Sequence, residues 1–217
     1  LTRKILDMLK TLASTEQQQI EAYNEAKQTE KENPDEVVDV VEPEYAYLQF
    51  WREFGSKFLK LGLLDDRQNH STLGRLLRFK TTRTNPEDQN DYVSLDTYLE
   101  RKVDGQKSIY YLTGDSAASL AKSPFLSRAK ALGIEVLLLD DPLDEYLVQS
   151  FTEYDGHSLQ SLAREGVELP GASKPNLLQK QTADFKQVID FLNIVYNSDA
   201  KGEVLPPSAK TVEKIVI

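Results

Sequence analysis

Cysteine is absent from the 217 residues, which excludes a disulfide framework, a thiolate nucleophile and any metal site built on sulfur, and leaves the redox compartment open. Histidine occurs twice, at His70 and His157, too far apart in sequence to suggest zinc; each is read as a surface residue, not as the base of a catalytic triad. Basic residues form no long stripe, and the net charge is −9, so nothing is present to displace counterions from phosphates and nucleic acid is excluded as a partner. No run approaches the roughly 18 apolar residues of a membrane span. The one methionine is Met8, and Leu1-Thr2-Arg3-Lys4 leads directly into a helical pattern with no signal-like segment, which reads as a piece cut from a longer chain.

With 40% apolar and 9% aromatic residues the chain can bury a core and hold one large or two small domains. Its charge is segregated. Ten acids between Ser14 and Glu44 face only Lys27 and Lys31, so almost all of the net charge lies there and the remainder is close to neutral.

The organising stretch runs from Lys107 to Tyr146. Ser108 to Leu112 is a β-branched and aromatic run broken by Gly114; Ser116 opens a helical segment that Pro124 restarts ahead of Phe125 and Leu126, and Gly133 closes it. Ile134 to Leu139 is a second apolar run, stopped by Asp140, Asp141 and Pro142. A strand so continuously apolar must be covered on both faces, which favours parallel pairing between helical layers. A third strand is expected at Ser158 to Ala163, reached through a helix that Asp141 caps with Pro142 at its first position. The expected architecture is α/β: a mainly helical part over 1–105, then a βαβαβ unit over 106–170 forming a small three-layer α/β/α domain with a short, mainly parallel sheet.

Along the rest of the chain, Ile5, Leu6, Leu9 and Leu12 repeat at helical spacing, and this helix is expected to continue through Thr29. Glu30 to Pro43 reads as a mobile acidic linker. A second helix, starting at Pro43 or Glu44, carries Tyr47, Leu48, Trp51, Phe54, Phe58 and Leu61 three or four apart, a stripe read as core because a cofactor box needs polar anchors it lacks. A short helix over 69–79 turns Leu73, Leu76, Leu77 and Phe79 inward; Arg75, Arg78, Lys80 and Arg83 around it are read as a solvated basic face. Ser94 caps a helix with Leu95, Tyr98 and Leu99 inside. The helix after Asp141 is expected to bury Leu143, Tyr146, Leu147 and Phe151 and to end at Tyr154-Asp155-Gly156. Val167 to Asn176, with two prolines and a glycine, is the best domain boundary. Beyond it, 171–217 is expected to begin a second, α+β domain: a helix over 177–196 with Phe185, Val188, Ile189, Leu192 and Val195 inward, and a strand at Val212 to Ile217.

Two places have residues that suggest chemistry. Thr113-Gly114-Asp115-Ser116, between a strand and a helix, sits where α/β folds bind phosphates, but it contains neither G-x-G-x-x-G nor the Lys-Ser/Thr of a Walker loop. Asp140 and Asp141, at a strand's carboxyl end, are placed like the Mg²⁺ pocket of a receiver domain, and equally like a helix cap. Both leave open a small nucleotide- or Mg²⁺-dependent enzyme as the alternative function. No catalytic, cofactor-binding or metal-binding residue is assigned.

The order and spacing of Arg3 to Leu9, Phe50 to Leu63, Leu73 to Phe79, Ser94-Leu95-Asp96 with Tyr98, Gln106 to Gly114, Ser123-Pro124-Phe125, Gly133 to Leu137, Asp141 to Tyr146 and Arg164 to Leu169 resemble the ninety-kilodalton heat-shock chaperone family. The similarity covers the second half of that family's middle domain over about 1–170, with a weaker likeness to the opening of the C-terminal domain from Leu177 on. It implies a parent that is an ATP-driven homodimeric clamp acting on unfolded or metastable clients, with ATP, Mg²⁺ and a catalytic arginine held ahead of this stretch and dimer contacts past Ile217. It also implies that this part couples domains and offers surface to clients and co-chaperones. Ser14 to Pro43 is much longer than the family's usual link, and Leu147 stands where Cys normally follows the Asp-Glu-Tyr motif. Trp51 to Gly55 and Leu76 to Phe79 are closer to the endoplasmic-reticulum branch than to the cytosolic one, which favours the reticulum lumen over the cytoplasm.

Overall fold

Helix α1 (Thr2–Glu32) is 31 residues long because Thr15 to Glu32 is rich in Gln, Glu, Ala and Lys, good helix formers that need little packing. The computed structural model describes residues 2–32, 41–164, 166–171, 185–188 and 190–191. Among the described side chains of α1, Leu6, Ala13 and Glu16 are buried, and the helix extends through Glu32, into the stretch expected to be linker. Residues 33–40 of the acidic run lie outside the described residues.

The aromatic helix is three pieces end to end: α2 (Ala46–Phe50), a π-helical turn (Trp51–Gly55) and α3 (Ser56–Asp65). That wider turn overturns the single-stripe expectation. Holding one extra residue, it shifts the register, so that Tyr47, Leu48 and Trp51 remain buried while Gly55, Leu59 and Leu63 follow them inward. Phe54, Phe58 and Leu61 are instead 55%, 68% and 43% exposed.

A 3₁₀ turn (Arg67–Asn69) leads into α4 (His70–Leu76), followed by β1 (Lys80–Thr81) and α5 (Leu95–Glu100). Ser94 Oγ accepts the Thr97 N–H at 3.1 Å, as the cap reading requires. The α/β unit comprises β2 (Ser108–Thr113), α6 (Ala117–Leu120), α7 (Leu126–Ala131), β3 (Leu137–Leu139), α8 (Pro142–Ser150), β4 (Glu153–Tyr154) and β5 (His157–Ser161).

The sheet order is β1-β3-β2-β5-β4. Its three central strands are parallel, with Tyr111 opposite Leu137 and Ile109 opposite Leu159, as expected for βαβαβ. The two-residue strands β1 and β4 at its ends are antiparallel and were not foreseen. Because the crossovers from β2 to β3 and from β3 to β5 run in opposite directions, right-handed connections put α6 and α7 on one face and α8 on the other. Tyr154-Asp155-Gly156 does not end α8, which stops at Ser150. It forms the β4–β5 hairpin, where Asp155 and Gly156 both take positive φ. Tyr146, expected inward, is 61% exposed, because α8 turns Leu147 toward the core.

One core joins the helical part to the sheet. Leu63, Leu73, Leu76, Leu95, Ile109, Leu137, Leu147 and Phe151 belong to a single buried cluster. Tyr98 fastens it: its hydroxyl donates to Glu135 O at 2.8 Å and accepts from Gln106 Nε2 at 3.1 Å and Tyr110 N at 3.0 Å.

The chain divides into two compact units, Leu1–Pro170 and Gly171–Ile217. In the second, residues 186–188 and 190–191 are helical, and Phe185 and Val188 are exposed instead of inward, with no other described element of that unit to pack on them. Ile189, Leu192, Val195 and the expected strand at Val212 to Ile217 lie outside the described residues.

Candidate functional site

Both places weighed for chemistry turn out to be internally satisfied. Gly114 N–H donates to Leu139 O at 3.0 Å, Ser116 Oγ caps α6 by accepting from Ser119 N at 3.2 Å, and Asp140 Oδ2 accepts from Ala117 N at 3.2 Å. An incoming phosphate at this helix start therefore meets a carboxylate, and the phosphate reading of Thr113 to Ser116 is withdrawn. Asp141 is also committed. Its Oδ1 accepts from Leu143 N at 3.0 Å, and its Oδ2 accepts from Lys60 Nζ at 3.0 Å and Ser56 Oγ at 3.2 Å. Asp144 Oδ2 reaches back to Asp141 N at 3.3 Å, completing a capping box. Asp140 and Asp141 thus enter different hydrogen-bond networks, one at the start of α6 and the other at the start of α8. His70 Nε2 lies 2.6 Å from Leu63 O, and His157 bridges Asp155 O and Lys102 Nζ; neither faces a nucleophile.

The basic cluster splits. Arg75 and Arg83 are on the surface, but Arg78 and Lys80 are only 7% and 5% exposed, which overturns the solvated-face reading for those two. Lys80 Nζ donates to the backbone oxygens of Asn85, Asp88 and Asp91 and lies 4.3 Å from the Tyr92 ring centroid, so it gathers the loop over 84–92 around itself. Arg78 Nη1 donates to Arg75 O at 3.0 Å and Leu77 O at 2.9 Å, with its guanidinium carbon 4.6 Å from the Tyr47 ring centroid.

These groups border a cavity of about 180 Å³ beyond the carboxyl end of β3, lined by Trp51, Arg52, Ser56, Lys60, Arg78, Phe79, Lys80, Tyr92, Leu138, Asp140, Asp141 and Asp144. Four cations and three carboxylates make its lining net positive by one charge. Lys60 stands between two of the carboxylates, 3.0 Å from Asp141 Oδ2 and 2.7 Å from Asp144 Oδ1. The second contact is an ion pair without hydrogen-bond alignment, since Asp144 Oδ1 is buried and accepts no hydrogen bond.

The cavity concentrates displaced proton affinities, which is how functional clefts often differ from ordinary surface. Burial lowers the affinities of Arg78 and Lys80 and raises that of the Tyr92 hydroxyl. Burial also pushes up the Asp144 carboxyl, with Lys60 only partly offsetting it. At Asp141 burial acts the same way but is outweighed by hydrogen bonds from Leu143 and Lys60 and by the Lys60 charge, which hold that carboxyl below its ordinary range. Sequence reasoning missed Lys60, although a lysine inside Phe58-Leu59-Lys60-Leu61 signals a buried ion pair.

The Hsp90 protein family model matches residues 1–205. The chain belongs to the Hsp90 family. An endoplasmin homolog of Catharanthus roseus is 38% identical over 180 residues, 83% of this chain and 21% of that protein. One from Leishmania infantum is 40% identical over 169 residues, 78% of this chain and 20% of that protein. Chaperone protein HtpG of Bdellovibrio bacteriovorus is 38% identical over 164 residues, 74% of this chain and 25% of that protein. A solved middle domain of a Plasmodium falciparum heat shock protein is 32% identical with a TM-score of 0.49, covering 54% of this chain and 47% of that one. The chain spans about a fifth to a quarter of the length of the curated relatives it matches. In an Hsp90 chain the resemblance of Phe50 to Leu63 and Gln106 to Gly114 is explained, and the small-enzyme alternative is not favoured.

Proposed function

We propose that this chain is the part of an ATP-driven, homodimeric Hsp90 chaperone that links its nucleotide-handling region to its dimerisation region and presents surface to clients and co-chaperones. Leu1 to Pro170 corresponds to the second half of a middle domain and 171–217 to the start of a C-terminal domain. ATP, Mg²⁺ and the catalytic arginine belong to other parts of the parent, dimer contacts lie past Ile217, and no catalytic, cofactor-binding or metal-binding residue is assigned here. The endoplasmin homologs among its relatives support the reticulum lumen as its compartment.

The observation that carries this reading is the exposed apolar row of Phe54 on the π-helical turn and Phe58 and Leu61 on α3 in an Hsp90 chain. Contiguous apolar surface of this kind marks protein contact. A core shared between α2–α5 and the sheet suits a rigid coupler. The test is suppression of aggregation of a chemically denatured enzyme by the chain, together with calorimetric titration by ATP and Mg²⁺. Suppression without nucleotide heat is expected; saturable ATP binding by the folded chain overturns the assignment of nucleotide chemistry to other parts of the parent.

A further inference from the structure

We propose that the exposed row on the π-helical turn and α3 selects non-native segments that carry a carboxylate beside an aromatic or aliphatic residue, with Lys57 as the charge that reads it. The inference rests on the proposed function, because it names the class of client segment that the same row takes.

The π-helical turn sets up that charge. Ser56 N–H donates to Trp51 O, five positions back, in place of the four-residue step of an α-helix, and turns of this kind recur at functional sites. Glu53 and Lys57 stand four apart, acid before base, the order that favours an ion pair on a regular helix. The wider turn lies between them and the pair does not form. Glu53 Oε1 instead accepts from Gln49 Nε2 at 3.4 Å, and the exposed Lys57 has neither an ion pair nor a hydrogen bond among the described residues. The other two cations of this stretch are committed. Arg52 Nη1 donates to Gln89 O and Oε1, both at 3.3 Å, and Lys60 stands between Asp141 and Asp144.

Position makes Lys57 part of the row. It adjoins Phe58 in sequence and comes four residues before Leu61, so its stem runs beside Leu61 on α3, where the methylenes of a lysine extend apolar surface and its head stays in water. A wholly apolar segment laid on the row takes this ammonium out of water without a partner, which costs free energy. A carboxylate supplies the partner, and a second ammonium is repelled.

Reach narrows the class further. At 1.5 Å per helical residue the row from Phe54 to Leu61 runs roughly 10 Å, the span of about three extended residues. The carboxylate of the guest must therefore fall within about that many residues of its apolar anchor. Glu53 and Asp65 are exposed beyond the two ends of the row, so a carboxylate displaced outward meets like charge.

The chain is titrated into three short peptides made of Gly and Ser around a central Phe-Glu-Leu, Phe-Gln-Leu or Phe-Lys-Leu, each carrying an uncharged dye, and anisotropy is read. Affinity falling in the order Glu, Gln, Lys is expected, with the ends of the series about fivefold apart at low salt and nearly equal at about 1 M, where the screening length is about 3 Å. Lys57→Glu, a change at an exposed side chain, should reverse the order, and Phe58→Ser should weaken all three alike. Equal affinities for the three peptides, or an order that Lys57→Glu leaves unchanged, overturn selection by Lys57; the row keeps its role as a contact surface in that case if Phe58→Ser still weakens binding. No binding of any peptide up to about 1 mM, or binding that Phe58→Ser leaves untouched, overturns both this inference and the part the row plays in the proposed function.

Discussion

Glu16 Oε2 accepts the backbone N–H of Tyr47, 31 positions later, at 2.7 Å, so a carboxylate on α1 caps α2, the helix that begins at Ala46. The same oxygen accepts Leu48 N–H at 3.1 Å, while Tyr45, at the cap position with φ of 51°, contributes no side-chain bond. Glu16→Ala leaves two buried amides without an acceptor and is expected to lower unfolding free energy by about 1–3 kcal/mol in urea titrations. Burial raises the Glu16 pKa, an effect the Leu48 and Tyr47 amides only reduce. A raised folded-state value adds stability below the unfolded pKa and loses it as pH rises through the folded one. Glu16→Gln keeps an acceptor and does not titrate, so its stability relative to the native chain should improve from pH 4 toward neutrality.

Lys60 is the counterion of two carboxylates on α8. Lys60→Met strands Asp144 and Asp141 and is expected to cost about 3–5 kcal/mol at neutral pH. The two aspartates have opposite pH signatures. Asp141, with its pKa lowered, contributes stability above the unfolded value of 3.8 that disappears as pH falls through the folded one. Asp144, raised by burial, favours folding at acid pH and loses that contribution as pH rises. Asp141→Asn should therefore flatten the acid limb of a melting-temperature profile, and Asp144→Asn should steepen it.

Gly74 lies under two rings. A Cβ there would stand 2.8 Å from Tyr154 Cε2 and 3.0 Å from Phe151 Cζ, and Tyr154 is held by a 2.5 Å hydrogen bond from its hydroxyl to Asp96 Oδ1. Gly74→Ala should thus destabilise by about 1–3 kcal/mol despite the better helix propensity of alanine. Scanning calorimetry checks this; an unchanged or raised midpoint means the rings move aside freely.

Phe58 can be tested as surface instead of core. Phe58→Ser is expected to leave unfolding free energy within about 0.5 kcal/mol of the native value while weakening suppression of client aggregation. A large loss of stability would return Phe58 to the core.

The βαβαβ unit was legible because its signals are local: Ile109 to Leu112 is an aliphatic and aromatic run, Leu137 to Leu139 is wholly apolar, and Asp141-Pro142 is a strong helix start. What escaped depends on backbone geometry or distant partners. The π turn at Trp51 to Gly55 has no sequence marker beyond Gly55, whose added Cβ would meet Phe50 Cε1 at 2.9 Å, so a 3.6-residue period placed Phe54 and Phe58 inside. The candidate cavity was invisible for a related reason. Trp51, Arg78, Tyr92 and Asp144 come from four separate stretches, and an arginine beside Leu76-Leu77 resembles any surface arginine until the neighbouring turn folds it under.

The sheet finishes on both sides in strands of two residues, β1 and β4. An unpaired margin that short offers few free backbone donors and acceptors to a passing extended segment. A protein whose work brings it against unfolded polypeptide is the most exposed of any to being built upon, strand by strand, by its own cargo. On the function proposed above, such blunt margins suit a chain that would meet non-native segments through side chains on α3, since they offer no ladder on which aggregation could begin.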